Sequence, residues 1–160
     1  MLERALGPAD AQTLIGRSHF AYWTGAAGDP ASARDQLAEL LPELMRIFGP
    51  EHRESLTTLT LLASVTGVAG DPAGARNQFA ELLPVAERVF GPEHPTTLTA
   101  RDSLAWWTGE AGDAAGARHQ YAALLPVWER VSGADHPNTL TVRDNLAYWT
   151  SEASSGPGPA

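Results

Sequence analysis

The stretch GPEHPTTLTARDSLAWWTGEAGDAAGARHQYAALLPVWERVS, residues 91–132, lies on residues 49–90 without a gap, and 26 of the 42 positions are identical. The likeness extends outward in both directions. The linker Gly-Pro-Glu-His begins at Gly49 and Gly91, becomes Gly-Ala-Asp-His at Gly133 and survives as Gly-Pro-Ala-Asp at Gly7. Leu-Leu-Pro returns at Leu40, Leu82 and Leu124, and Ala-Arg-x-Gln at Ala33, Ala75 and Ala117. A fixed period of this length signals a stacked array whose units bury their apolar faces against their neighbours. The chain thus divides into units at about 7–48, 49–90, 91–132 and 133–153, three full repeats and half of a fourth, followed by a flexible tail at 154–160.

Each unit reads as two helices. In the third, Pro95 stands near the first turn of a helix that places Leu98, Leu104, Ala105 and Ala111 at largely helical spacing and stops at the glycines between 109 and 112. Asp113 then offers a carboxylate to the free amides of a second helix, and its equivalents Asp29 and Asp71 are each followed by Pro, which is well tolerated at a first helical position. The second helix carries Ala117, Tyr121, Leu124, Leu125, Trp128 and Val131 inward. The expectation is an all-α solenoid of stacked helical hairpins, about seven helices over residues 1–153, with no strand. Pro42, Pro84 and Pro126 fall inside the second helices and must either bend them or split them in two.

These residues resemble the tetratricopeptide repeats, in the 42-residue variety of kinesin light chains and of arrays in high-GC bacteria. The resemblance rests on Leu104-Ala105, on Ala117, Tyr121 and Leu124, and on the Gly-Pro-Glu-His-Pro linker with Thr97-Leu98 after it. Two features depart from the general pattern: Arg17, Arg101 and Arg143 stand where a large aromatic is usual, and the Leu-Leu-Pro bend is additional. The resemblance implies protein binding on a concave surface formed by the first helices. Carried over by position, its groove residues are Tyr22, Ser64, Trp106 and Tyr148, with Ser18, Thr60, Asp102 and Asp144 one turn earlier and Glu110 and Glu152 one turn later. Such a groove suits a partner offering basic or apolar anchors, because aromatic faces and carboxylates both attract cations. The alternative is that the aromatics pack between adjacent hairpins.

Composition narrows the function classes. Nineteen acids against eleven basic residues, all Arg, give a net charge of −8, which disfavours nucleic acid and anionic lipid as partners. The absence of Cys and Lys removes thiolate metal sites, cysteine nucleophiles, Schiff bases and the lysine of a phosphate loop. No apolar run reaches the ~18 residues of a membrane span and the first twenty residues lack a signal-peptide pattern, so the expected compartment is cytoplasmic.

His52, His94 and His136, each beside an acid, are the obvious catalytic candidates. One repeat apart they should lie about 10 Å from one another, whereas ligands of one zinc ion lie ~2 Å from it. They read as residues that bond the turn before a helix start. His19 and His119 read as surface residues, and Arg34, Arg76 and Arg118 as partners of acids on neighbouring hairpins or as covers for apolar surface. No catalytic, cofactor-binding or metal-binding residue is expected, and the chain reads as a non-enzymatic adaptor.

The second reading is a self-assembling structural module. Leu2 to Gly7 aligns with Leu44 to Gly49, as though the chain opened in the last turns of a second helix cut from a longer array, such as part of a larger signalling protein. At the other end residues 139–153 form a first helix without its second, so Leu146 and Trp149 are expected to be bare and to support a homodimer.

Overall fold

The computed structural model describes residues 10–156, so the expected Leu2 to Leu6 turn and the end of the tail lie outside the described residues. Seven helices are present among the described residues, with no strand: α1 Ala11–Ala26, α2 Pro30–Phe48, α3 Arg53–Val68, α4 Pro72–Phe90, α5 Pro95–Glu110, α6 Ala114–Ser132 and α7 Pro137–Ser154. None is long and apolar enough to cross a membrane. The architecture is an all-α array of helical hairpins, the α-solenoid class.

The local rules that fix these helices alternate. Glycines at 28, 49, 70, 91, 112 and 133, one every 21 residues, all take φ between 93° and 115°, a region where a side chain is strained. Each lies just past the end of a helix. The following helix is then started in one of two ways. Before α2, α4 and α6 the carboxylates of Asp29, Asp71 and Asp113 accept from the amides of Ser32, Gly74 and Gly116 at 2.8–3.0 Å. Before α3, α5 and α7 the Nδ1 atoms of His52, His94 and His136 accept from the amides of Glu54, Thr96 and Asn138, each at 3.2 Å. Both devices satisfy amides that a helix start leaves free.

Pro42, Pro84 and Pro126 sit inside unbroken helices of 19 residues. All three prolines are exposed, as are Ala38, Ala80 and Ala122 four residues earlier, whose carbonyls lose their helical partner. The missing bond therefore falls on the watered side of each helix, where solvent replaces it. The second helices bury one stripe at i, i+4, i+7 and i+11: Ala33, Leu37, Leu40 and Leu44, then Ala75, Phe79, Leu82 and Ala86, then Ala117, Tyr121, Leu124 and Trp128.

By compactness the described residues fall into two units, 10–78 and 79–156. In the first unit Ala21, Ala33, Leu37 and Val65 form one buried cluster and Leu14, Leu40 and Leu44 another. In the second a larger cluster joins Leu98, Ala105, Ala117, Tyr121, Leu124, Trp128, Val142 and Trp149. Ion pairs fasten the joints of this unit: Arg130 with Glu93, and Arg143 with Glu129 at 3.1 Å. Of the two expectations for Arg34 and Arg76, pairing with acids of neighbouring hairpins is not what their head groups do. Each turns instead to the next residue of its own helix, Asp35 or Asn77.

Candidate functional site

The aromatic residues of the first helices converge in the second unit. Trp106 on α5 and Tyr148 on α7 occupy equivalent repeat positions and stack with ring centroids 5.9 Å apart and planes 24° from parallel. Trp149 meets both rings edge-on, at 5.5 Å from Trp106 and 4.8 Å from Tyr148. Tyr148 is 46% exposed, so the stack is supported from below and open above. Glu110, Asp144 and Glu152 on the same helices are exposed. An aromatic face held by neighbouring rings and open on one side can receive an apolar side chain or a guanidinium.

Asp102 is placed differently from its sequence expectation. It is half-buried where α5, α6 and α7 meet, and the Tyr121 hydroxyl donates to its main-chain carbonyl at 3.1 Å while Asn145 Nδ2 donates to the same hydroxyl at 3.2 Å. Burial pushes its carboxyl above the ordinary carboxylate range, and hydrogen bonding to Tyr121 and Asn145 offsets part of the rise. Burial, and then the Asp102 charge, push the Tyr121 phenol far up in turn. Asp102 thus belongs to an internal polar joint between α5, α6 and α7, whereas Asp144 is exposed.

Trp149 corrects a second expectation. It is 4% exposed, packed into the core rather than bare, with its ring against Gly109. A Cβ at Gly109 would fall 2.4 Å from the indole, so only glycine admits the ring there. Leu146 is half-buried against the same cluster. Neither residue is the open surface expected of a dimer contact. Tyr22, in the first unit, meets Trp23 edge-on at 5.7 Å and stands at the surface.

The candidate catalytic histidines are spent on helix starts. An Nδ1 that accepts an amide proton leaves the ring proton on Nε2, and the three rings stack on Phe48, Phe90 and Trp128 at 4.7, 5.1 and 6.2 Å. Among the described residues no group of three His, Asp or Glu could hold a metal ion. His19 and His119 are exposed, as expected.

Two shallow cavities occupy the same repeat position. One of about 250 Å³ is lined by Arg17, Phe20, Gln36, Glu39 and Leu40, and one of about 220 Å³ by Leu83, Arg101, Leu104, His119, Gln120 and Ala123. Both fall below the ~300 Å³ at which small-molecule sites begin. Their recurrence marks them as joints between helices.

Comparison with known proteins agrees with this geometry. Residues 54–125 match a family model described as tetratricopeptide repeat. No curated protein matches the chain. Among solved structures, the nearly identical TPR-like repeats of a Podosopora anserina protein described as a kinesin light chain superimpose with a TM-score of 0.80 at 18% identity, over 88% of this chain and 67% of that one. A single-substitution variant of those repeats gives the same score and identity over 66% of its length. BtubC (BKLC) from P. vanneervenii gives 0.79 at 18% identity, over 91% of this chain and 58% of that one. The chain spans about two thirds of the length of these structures or less. It has a TPR-like helical-repeat fold, related in structure to repeats of the kinesin-light-chain type.

Proposed function

We propose that the chain is an adaptor that binds a peptide or partner segment across the first helices of its second unit, with Trp106 and Tyr148 as the apolar platform and Glu110, Asp144 and Glu152 as its acidic rim. The observation that carries this reading is the Trp106–Tyr148 stack, ordered in the free chain and open on one side. Asp102 supports the platform through Tyr121 and Asn145, and Tyr22 is a separate contact in the first unit. The favoured ligand carries Arg or Lys next to Leu or an aromatic. A peptide array varying charge and apolar content tests this: the chain should retain basic, apolar peptides and pass over acidic ones, and Tyr148→Ala should abolish that preference. Retention that ignores peptide charge, or survives Tyr148→Ala, contradicts the reading.

A second reading, homodimerisation, draws support from Phe20 and Trp23, large apolar side chains exposed on α1. Its contact is then α1 rather than Leu146 and Trp149. Light scattering across a dilution series should show a mass that falls with dilution and is monomeric throughout in Trp23→Asp. A monomer at every concentration removes it.

A further inference from the structure

The two helix joints that hold cavities occupy the same repeat position and differ in charge. In the first unit the lining carries Glu39 as well as Arg17. In the second, Ala123 takes the place of Glu39, and His119 takes the place of Asp35, which pairs with Arg34 at 2.9 Å. The second-unit lining of Leu83, Arg101, Leu104, His119, Gln120 and Ala123 therefore holds a guanidinium and an imidazole and no acid. All six residues belong to that unit, on α4, α5 and α6.

Arg101 is the centre of this difference. Its counterpart Arg143 pairs with Glu129 at 3.1 Å, whereas Arg101 is half-buried and makes no ion pair among the described residues, with Glu87 at the Glu129 position or with any other acid. A guanidinium drawn partly out of water without a counterion attracts an anion more strongly than an exposed one, because the medium around it screens less. The wall beside it is already ordered, since Gln120 Nε2 donates to Thr108 Oγ1 at 3.2 Å. The rest of the lining decides the body of the ligand. Leu83, Leu104 and Ala123 are apolar, and a cavity of about 220 Å³ has the room of about seven waters at ~30 Å³ each. That excludes nucleotides and drug-sized molecules and admits a single ring bearing one acid group.

We propose that the second-unit cavity is a binding site for a small monocarboxylate with a compact apolar body, its carboxylate meeting Arg101 and His119 and its body resting on Leu83 and Leu104. A carboxylate matches the planar fork of a guanidinium with two parallel hydrogen bonds. An inorganic phosphate, strongly hydrated and without an apolar part, leaves the leucine wall uncovered. The first-unit cavity does not share the site, because Glu39 repels the same carboxylate. The site is also separate from the Trp106–Tyr148 platform, and it stands or falls without it.

The test titrates the full chain with benzoate at constant ionic strength, observing the methyl resonances of Leu83 and Leu104 and the Nε–H resonance of Arg101. The expected result is saturable one-to-one binding that shifts all three. Benzamide, which keeps the ring and loses the charge, and acetate, which keeps the charge and loses the ring, should each bind at least roughly tenfold more weakly. Arg101→Gln should weaken benzoate by a similar factor. So should Ala123→Glu, which restores the acid of the first unit at an exposed position and should keep the helical circular dichroism of the parent, so that the test stands even where Arg101→Gln disturbs the fold. Tyr148→Ala should leave benzoate binding unchanged. Absence of saturable binding, shifts centred on the first-unit cavity or on the platform, equal affinity for benzamide, or full affinity in Ala123→Glu overturns the proposal.

Discussion

Trp23 and Trp149 stand at the same repeat position, yet Trp23 is 66% exposed and Trp149 only 4%. The residue type, helix face and neighbouring sequence are alike. The difference is that Trp149 meets a preceding first helix, whose Gly109 makes room for the indole, while no described helix precedes Trp23 on α1. Burial at this position is set by the preceding hairpin, and the helix's own second helix covers a different stripe. A first helix in such an array is therefore apolar on two sides for two separate reasons.

The largest effect should come from deleting these indoles one at a time. Trp149→Ala is expected to cost about 3–5 kcal/mol in urea unfolding, the usual range for emptying a buried aromatic site, and Trp23→Ala to fall within about 0.5 kcal/mol of the parent. Equal losses would break the comparison. Next comes Gly109→Ala, whose methyl must displace the Trp149 ring. A loss of about 1–3 kcal/mol is expected, with tryptophan emission shifted to the red as the ring moves into water. An unshifted spectrum at unchanged stability would mean that the close approach does not hold the ring. Asp113→Ala removes the carboxylate that accepts from Gly116 and should cost about 1 kcal/mol.

The smallest effect is electrostatic and tests the joint beside the platform. The Asp102 carboxyl is raised in the folded chain, so the folded state binds its proton more tightly than the unfolded state does. Its contribution to stability therefore falls as pH rises from the ordinary carboxylate value through the raised one. Asp102→Asn should be the more stable form at neutral pH, by a margin that shrinks as pH is lowered through that window. A margin of opposite sign, or one independent of pH, would show that the charged carboxylate is well accommodated.

The repeat made the helices, their starts and their class legible from sequence alone. The period places glycine past the ends of the first six helices, and Asp or His with a free acceptor beside every helix start is a local signal that needs no tertiary context. The prolines were ambiguous because a lost hydrogen bond is tolerable or not according to whether water reaches the freed carbonyl. Helical periodicity marked Leu146 and Trp149 alike as apolar, and could not say that a preceding hairpin covers the indole and half-buries the leucine. Asp102 read as a groove acid because its engagement depends on Tyr121 and Asn145, which come from two other helices. Arg34 and Arg76 read as partners of acids on neighbouring hairpins or as covers for apolar surface, although Asp35 and Asn77 lie beside them in the chain.

The central claim is that a partner binds on the exposed ring of Tyr148. Its most direct test is the dissociation constant of the tightest basic, apolar peptide from the array, measured by tryptophan fluorescence for the parent chain and for Tyr148→Ala, with circular dichroism to show that both are folded. A hot-spot aromatic contributes 2 kcal/mol or more, so the variant should bind about thirtyfold more weakly. An unchanged dissociation constant in a fully helical variant, or an array from which no such peptide emerges, would contradict the account.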